Sequence, residues 1–218
     1  MVETLIFSIL CLKTKLYLKL GKFQIHKESY LVKPILKQWS IYPVILMSLI
    51  YCIFQYMILN HDYSFIPYQK IFKDALIMSY IILGVDILFR NKIYKPFIFA
   101  CYSLLSGCGL NAIVMHFNNK KMPIFPTFTY STGYTQYDMI INSSKYGDFH
   151  VLGDHTTKLI FLADVFDVCG FSIWSIGDIL VRVFAFMMVY YSVKEVNKIH
   201  KNKIVNIIVL KIIFLSIS

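Results

Sequence analysis

Charge is the scarcest ingredient of this sequence: 16% of its 218 residues are Asp, Glu, Lys or Arg, and only 12 of them are acidic. A soluble domain keeps nearer a quarter of its residues charged to cover its surface. With 57% of the residues hydrophobic and a mean hydropathy of +0.61, too little charge is left to coat a water-facing exterior, and lipid must solvate much of it. No Gly/Ser/Pro-rich linker divides the chain, so residues 1–218 read as a single integral membrane domain. Cys11, Cys52, Cys101, Cys108 and Cys169 are odd in number, lie mostly in apolar runs and form no CxxC. That excludes a disulfide framework of the secreted type and points to buried free thiols. The N-terminus carries Glu3 where a signal peptide has a cation, and no small-residue cleavage site follows, so no cleavage is expected.

What is present is a series of long apolar segments separated by lysine-bearing connections, predicting an all-α polytopic helical bundle of five to six spans. The expected spans are residues 4–20, 41–59, 71–89, 97–116 and 172–193. The first has Lys13, Lys15 and Lys19 at its far end, where long side chains can snorkel to headgroups, and an interfacial helix is its alternative. Pro43 falls in the first turn of the second, where its missing N–H costs nothing. The third carries Asp86 four residues before Arg90, a spacing that predicts an ion pair at the membrane interface. In the fourth, Ser103, Ser106, Gly107, Cys108 and Gly109 predict a packing seam of small residues. Trp174 opens the fifth as an interfacial anchor, and a basic loop at 194–203 follows. Residues 204–218 are apolar but short, with Lys211 in their middle, and a partial span, a surface helix and a sixth packed helix all stay open.

The net charge of +10 follows the connections rather than a nucleic-acid-binding motif, so the partner expected is the lipid bilayer and not nucleic acid. One side collects 14 Lys and Arg residues and the other six. By the positive-inside rule the first side is cytoplasmic, which places the protein in the cell membrane with residues 118–171 outside. A homo-oligomer or a membrane protein partner is compatible with the sequence, and a wide pore is not expected from one bundle of this size.

Residues 118–171 form a connection far longer than usual, the kind that is functional or disordered. Its aromatic content argues for order, hence an outer cap segment. Within it, 159–166 (LIFLADVF) is too short to span and is expected as an interfacial or re-entrant helix. The chemistry gathers here: Asp148, His150, Asp154 and His155 lie within eight residues, followed by Asp164 and Asp167. Carboxylates with imidazoles suit divalent metals or acid–base work, but the spacing matches neither HxHxDH nor HExxH, so no metal is assigned and the cofactor stays unknown. The Gly-Asp pairs at 147–148 and 153–154 fit turns in which Asp caps its own backbone. Asp178 and Arg182 sit four apart inside the fifth span, where charge is costly unless paired or facing a wet cavity. Asn111 and His116 end the fourth span at a similar level. The candidate polar pocket therefore comprises Asn111, His116, His150, Asp154, Asp164, Asp178 and Arg182.

In order along the chain, Asn118 with Met122-Pro123, His150, Thr157-Lys158-Leu159 with Leu162 and Asp164, and Ser175-Ile176-Gly177-Asp178 form a pattern. It resembles a family of uncharacterised bacterial multipass membrane proteins, a domain of unknown function, over roughly residues 5–193. Leu20-Gly21-Lys22-Phe23 is similar to that family's loop after its first helix. The resemblance implies the span count and draws attention to Asp164 and Asp178; it implies no activity. Asn119, Lys120 and Ala163 stand where the pattern has glycine, which puts the turn or close approach those glycines serve in question. Two functions follow as expectations. One is binding, transport or scaffolding through an outward-facing polar pocket. The other is a membrane-embedded hydrolase or transferase acting on a lipid-linked substrate at the outer face, with Asp164 and His150 as acid–base groups.

Overall fold

A computed structural model describes residues 10–11, 34–60, 62–127, 140, 145, 148–168 and 172–217, with side chains excluded at Leu59 and after Ile199. The chain is mainly helical. Helix α1 runs Ile41–Leu59, α2 Ile66–Gly84, α3 Tyr94–Phe117 and α4 Ile176–Ile217. Among the described residues three helices are long and apolar enough to cross a membrane, over Ile41–Ile58, Tyr94–Phe117 and Ile176–Ile199. The expected first span, 4–20, lies outside the described residues apart from Leu10 and Cys11, which are helical.

Helix α4 packs against α3 and α2, and α1 packs against α2. The buried α4 residues Val181, Phe184, Ala185, Met188, Val189, Ser192, Val193 and Val196 recur at three- and four-residue intervals, one continuous stripe of a 3.6-residue helix. Helix α2 answers with Leu76, Ser79, Tyr80, Leu83, Ile87 and Leu88 at the same intervals, and the Tyr80 and Phe184 rings meet edge to face at 6.4 Å. Gly84 lets Met188 approach so closely that a Cβ there would lie 2.4 Å from its sulfur. Helix α3 crosses α4 at two glycines: a Cβ on Gly107 would lie 2.6 Å from the Gly177 carbonyl oxygen, and Ser103 Oγ donates to the Leu180 carbonyl at 2.9 Å. The seam expected from small residues is thus formed by Ser103 and Gly107, whereas Gly109 faces open space. Cys52 and Cys108 are exposed rather than buried, and Cys11 and Cys101 are half-buried; Cys169 lies outside the described residues.

The helices turn apolar side chains outward as well as inward. Leu46, Leu49 and Ile53 on α1 and Ile98, Phe99, Tyr102 and Leu105 on α3 are each more than half exposed. At its last turns α2 widens into a π turn over Val85–Phe89. Asp86 there pairs with Arg90 as the spacing predicted, and it also accepts from Ser40 Oγ at 2.7 Å, tying α2 to the residue that precedes α1.

Four expectations need correction. The fold is not all-α, because among the described residues four short strands, β1 Met122–Ile124, β2 His150–Leu152, β3 Phe166–Val168 and β4 Ser172–Trp174, lie between α3 and α4. Strand β1 pairs in parallel with β2, and β3 pairs antiparallel with β4. Residues 159–166 form no interfacial helix: Leu159 takes a left-handed conformation with φ 55°, one tight turn follows over Ile160–Leu162, and Asp164 bridges to Ile124. The segment is drawn into strand pairing because β1 offers it backbone partners. Helix α4 starts at Ile176 rather than 172, since residues 172–174 are held by β3. It also continues through 194–203, where a basic loop was expected, to Ile217. At 1.5 Å per residue its 42 residues extend about 63 Å, roughly twice a hydrocarbon core.

Candidate functional site

The strands gather at the end of the bundle where α3 finishes and α4 begins. Helix α3 ends in a tight turn in which Asn119 and Lys120 take φ values of 54° and 62°. These are the positions where the resembled pattern has glycines, so the left-handed turn persists although Asn and Lys must bear its steric cost, about 1 kcal/mol or more per residue. Asn118 anchors the turn. Its side chain donates to the Val114 and Lys158 carbonyls at 2.9 and 2.8 Å and accepts from the Lys158 N–H at 2.9 Å. A single side chain thereby stitches the end of α3 to the Thr157-Lys158-Leu159 stretch 40 residues on.

From that anchor β1 leads into the site. Asp164 is held alongside it by two backbone bonds, its N–H to the Pro123 carbonyl at 3.1 Å and its carbonyl accepting from Phe125 N–H at 2.8 Å. Its carboxyl is therefore fixed by strand geometry rather than by a mobile loop. On the other side of β1, β2 presents His150. Asp148 Oδ1 lies 2.7 Å from His150 Nδ1 and also accepts the His150 backbone N–H at 3.2 Å, the Asx turn anticipated for the Gly-Asp pair. His150 Nε2 then faces Asp164 Oδ2 at 3.8 Å. Asp164 is 3% exposed, and its Oδ1 has no hydrogen-bond partner among the described residues. Burial, followed by the negative charge of Asp178, pushes the Asp164 carboxyl up to about 7, against the opposing influence of His150, Lys73 and Arg182.

The start of α4 supplies the second half. Ser175 Oγ accepts the Asp178 N–H at 2.9 Å, the N-cap bond that satisfies an otherwise orphaned helix donor. The same hydroxyl donates to Asn111 Oδ1 at 2.9 Å, and Asn111 Nδ2 donates to Asp178 Oδ1 at 3.1 Å. Gly177 makes this possible, since a Cβ there would lie 1.9 Å from Asn111 Oδ1. Ser175-Ile176-Gly177-Asp178 is thus a helix cap, a contact point for α3 and an acid placed favourably in the first turn of the helix. One turn on, Arg182 lies 3.9 Å over the Trp174 ring and reaches back to the Asp178 carbonyl at 3.4 Å.

Of the seven candidate residues, two groups come together: His150 with Asp164, and Asn111 with Asp178 and Arg182. Asp164 and Asp178 are close enough to act on each other electrostatically. Asp154 is exposed and caps Thr156, accepting its N–H and Oγ at 2.8 and 2.6 Å. His116 is exposed at the end of α3, edge-on to Phe117. Lys73 on α2 is a site residue that sequence reasoning misses: it reaches the site with Nζ 5.9 Å from the Phe149 ring, itself tilted against His150. The early start of α2 at Ile66, with Pro67 in its first turn, would have placed Lys73 two turns inside the helix. Among the described residues no three His, Cys, Asp or Glu side chains converge as metal ligands do.

With this geometry in place, residues 33–190 match a family described as "Family of unknown function (DUF5317)". The chain belongs to that family. The matched region of this DUF5317 protein takes in α1 to α3, all four strands and the first turns of α4, and so contains both halves of the site. No curated protein and no solved structure matches the chain.

Proposed function

We propose that this protein is a multi-pass integral membrane protein that binds or transports a small polar ligand through an outward-facing pocket at the strand-bearing end of its bundle. The observation that carries the reading is the buried carboxyl of Asp164, its Oδ1 without a partner among the described residues, set among His150, Lys73, Asp178 and Arg182. Proteins retain such a group against its desolvation cost where something is to be bound or a proton moved. The apolar outer faces of α1 and α3 support membrane insertion. So do the exposed rings of Trp39, Tyr42, Phe89 and Tyr94, which mark the opposite end of the bundle as an aromatic belt would. Helix α2 adds a further span, with Asp86 tied to Arg90 just past its far end and Lys73, two turns inside its start, directed to the site. The lysine distribution supports placing the strands and residues 118–171 outside the cell membrane, and the pocket within one domain spanning residues 1–218.

Native mass spectrometry of the full chain released from lipid nanodiscs tests the reading. A retained small-molecule adduct should be present in wild type and lost from Asp164→Asn and Arg182→Gln. Adduct-free wild type, or an adduct indifferent to both substitutions, contradicts it. A second reading is favoured by one specific feature: the Asp148 carboxylate lies 2.7 Å from His150 Nδ1, as the acid that orients a general-base imidazole does, and leaves Nε2 toward Asp164. Turnover of a lipid-linked substrate in the same nanodiscs, abolished by His150→Gln, would select that reading over passive binding.

A further inference from the structure

We propose that Asp164, His150 and Asp148 form a proton-exchange site, in which the proton of the Asp164 carboxyl passes to His150 Nε2 while Asp148 holds the imidazole in place. The proposal rests on the outward-facing pocket and assigns that pocket a proton as its first ligand. Three observations lead to it. Asp164 Oδ1 is buried with no partner among the described residues, a position where a carboxylate oxygen loses its water without compensation but a neutral carboxyl does not. The Asp148 carboxylate, 2.7 Å from Nδ1, selects the tautomer with the proton on Nδ1, so the lone pair of Nε2 is the one turned toward Asp164. The 3.8 Å between Nε2 and Asp164 Oδ2 exceeds a hydrogen bond by less than one small side-chain movement.

The step balances without any further reagent. The O–H bond of Asp164 breaks and its electron pair stays on oxygen; the Nε2 lone pair takes the proton, and a neutral pair becomes an imidazolium between two carboxylates. His150 keeps 24% of its side chain exposed, so its proton has access to water, whereas that of Asp164 does not. The charges facing Asp164 from each packed element are divided. Asp178 of α4 retains the proton, and Lys73 of α2, Arg182 of α4 and His150 of β2 favour its release. A group so opposed exchanges its proton near neutrality instead of remaining fixed in one state.

The test is infrared difference spectroscopy of the full-length protein in nanodiscs, following the carboxylic C=O band as pH rises. The expected wild-type band disappears with a midpoint near pH 7 and is absent from Asp164→Asn. Lys73→Gln should move the midpoint up and Asp178→Asn should move it down, a pair of opposite shifts that a merely structural role for Asp164 does not produce. His150→Gln should also move it up. No such band in wild type overturns the proposal, as do shifts of the two variants in the same direction, and the variant pair decides the matter even if Asp164→Asn misfolds. The pocket's orientation fails separately: in sealed right-side-out vesicles, a band that ignores external pH and follows only internal pH leaves the exchange intact but turns the pocket inward.

Discussion

Asp164 shows how a single residue can carry the cost of a site. An aspartate with an ordinary value near 3.9 when unfolded and about 7 when folded binds its proton more tightly in the native state. Between those two values the folded chain keeps a proton the unfolded chain has lost, so stability from this group is full at low pH and falls as pH rises toward 7. Three pKa units correspond to roughly 4 kcal/mol as an order of magnitude. Asp164→Asn, neutral at every pH and nearly the same shape, should therefore gain in melting temperature relative to wild type, more at pH 8 than at pH 5. Thermal unfolding of both proteins in detergent at the two pH values measures this, and a difference that does not change with pH contradicts the burial argument. The importance of Asp164 was legible in the sequence from an acid inside an apolar run. Its grouping with His150 was legible as a carboxylate with an imidazole, but the strand pairing that brings the two together across 14 positions was not, and neither was Lys73, which lies within an expected span.

At the scale of elements, the decisive contacts are made by small residues. Gly177 lies where α4 begins and α3 presses closest, and the Asn111–Ser175–Asp178 network is built in the space its missing side chain leaves. Gly177→Ala should push Asn111 aside, break that network and destabilise the protein by a few kcal/mol, as overpacking does. Gly109→Ala, two residues from Asn111 but facing open space, should be neutral or slightly stabilising through helix propensity. Parallel melts of the two variants separate them, and equal effects would mean that the crossing at Gly107 and Gly177 is not the tight point. Hydropathy located α1 and α3 within a few residues of their observed ends, since an uninterrupted apolar run of membrane length has few other solutions. It failed at 159–166 and 172–174. Short apolar runs do not distinguish helix from strand; the pairing that settles 159–166 runs through β1, some 40 residues earlier, and that of 172–174 through β3. It failed also at 194–203, where charge implied a loop but Lys, Glu and Asn all continue a helix without strain.

For the whole molecule, apolar outer faces, an α4 packed on α2 and α3, and a polar cluster at one end combine into a bundle whose candidate site lies at the strand-bearing end. The proposed pocket requires that face to look outward, whereas the proton exchange holds in either orientation. Labelling with a membrane-impermeant thiol reagent tests this most directly, using intact cells and a background in which the five native cysteines are replaced. Thr156→Cys, exposed in the turn after β2, should be labelled from outside, and Asn91→Cys, in the connection at the opposite end of the bundle, should react only after lysis. The reverse pattern, with Thr156→Cys protected until lysis and Asn91→Cys labelled in intact cells, would contradict the outward-facing site.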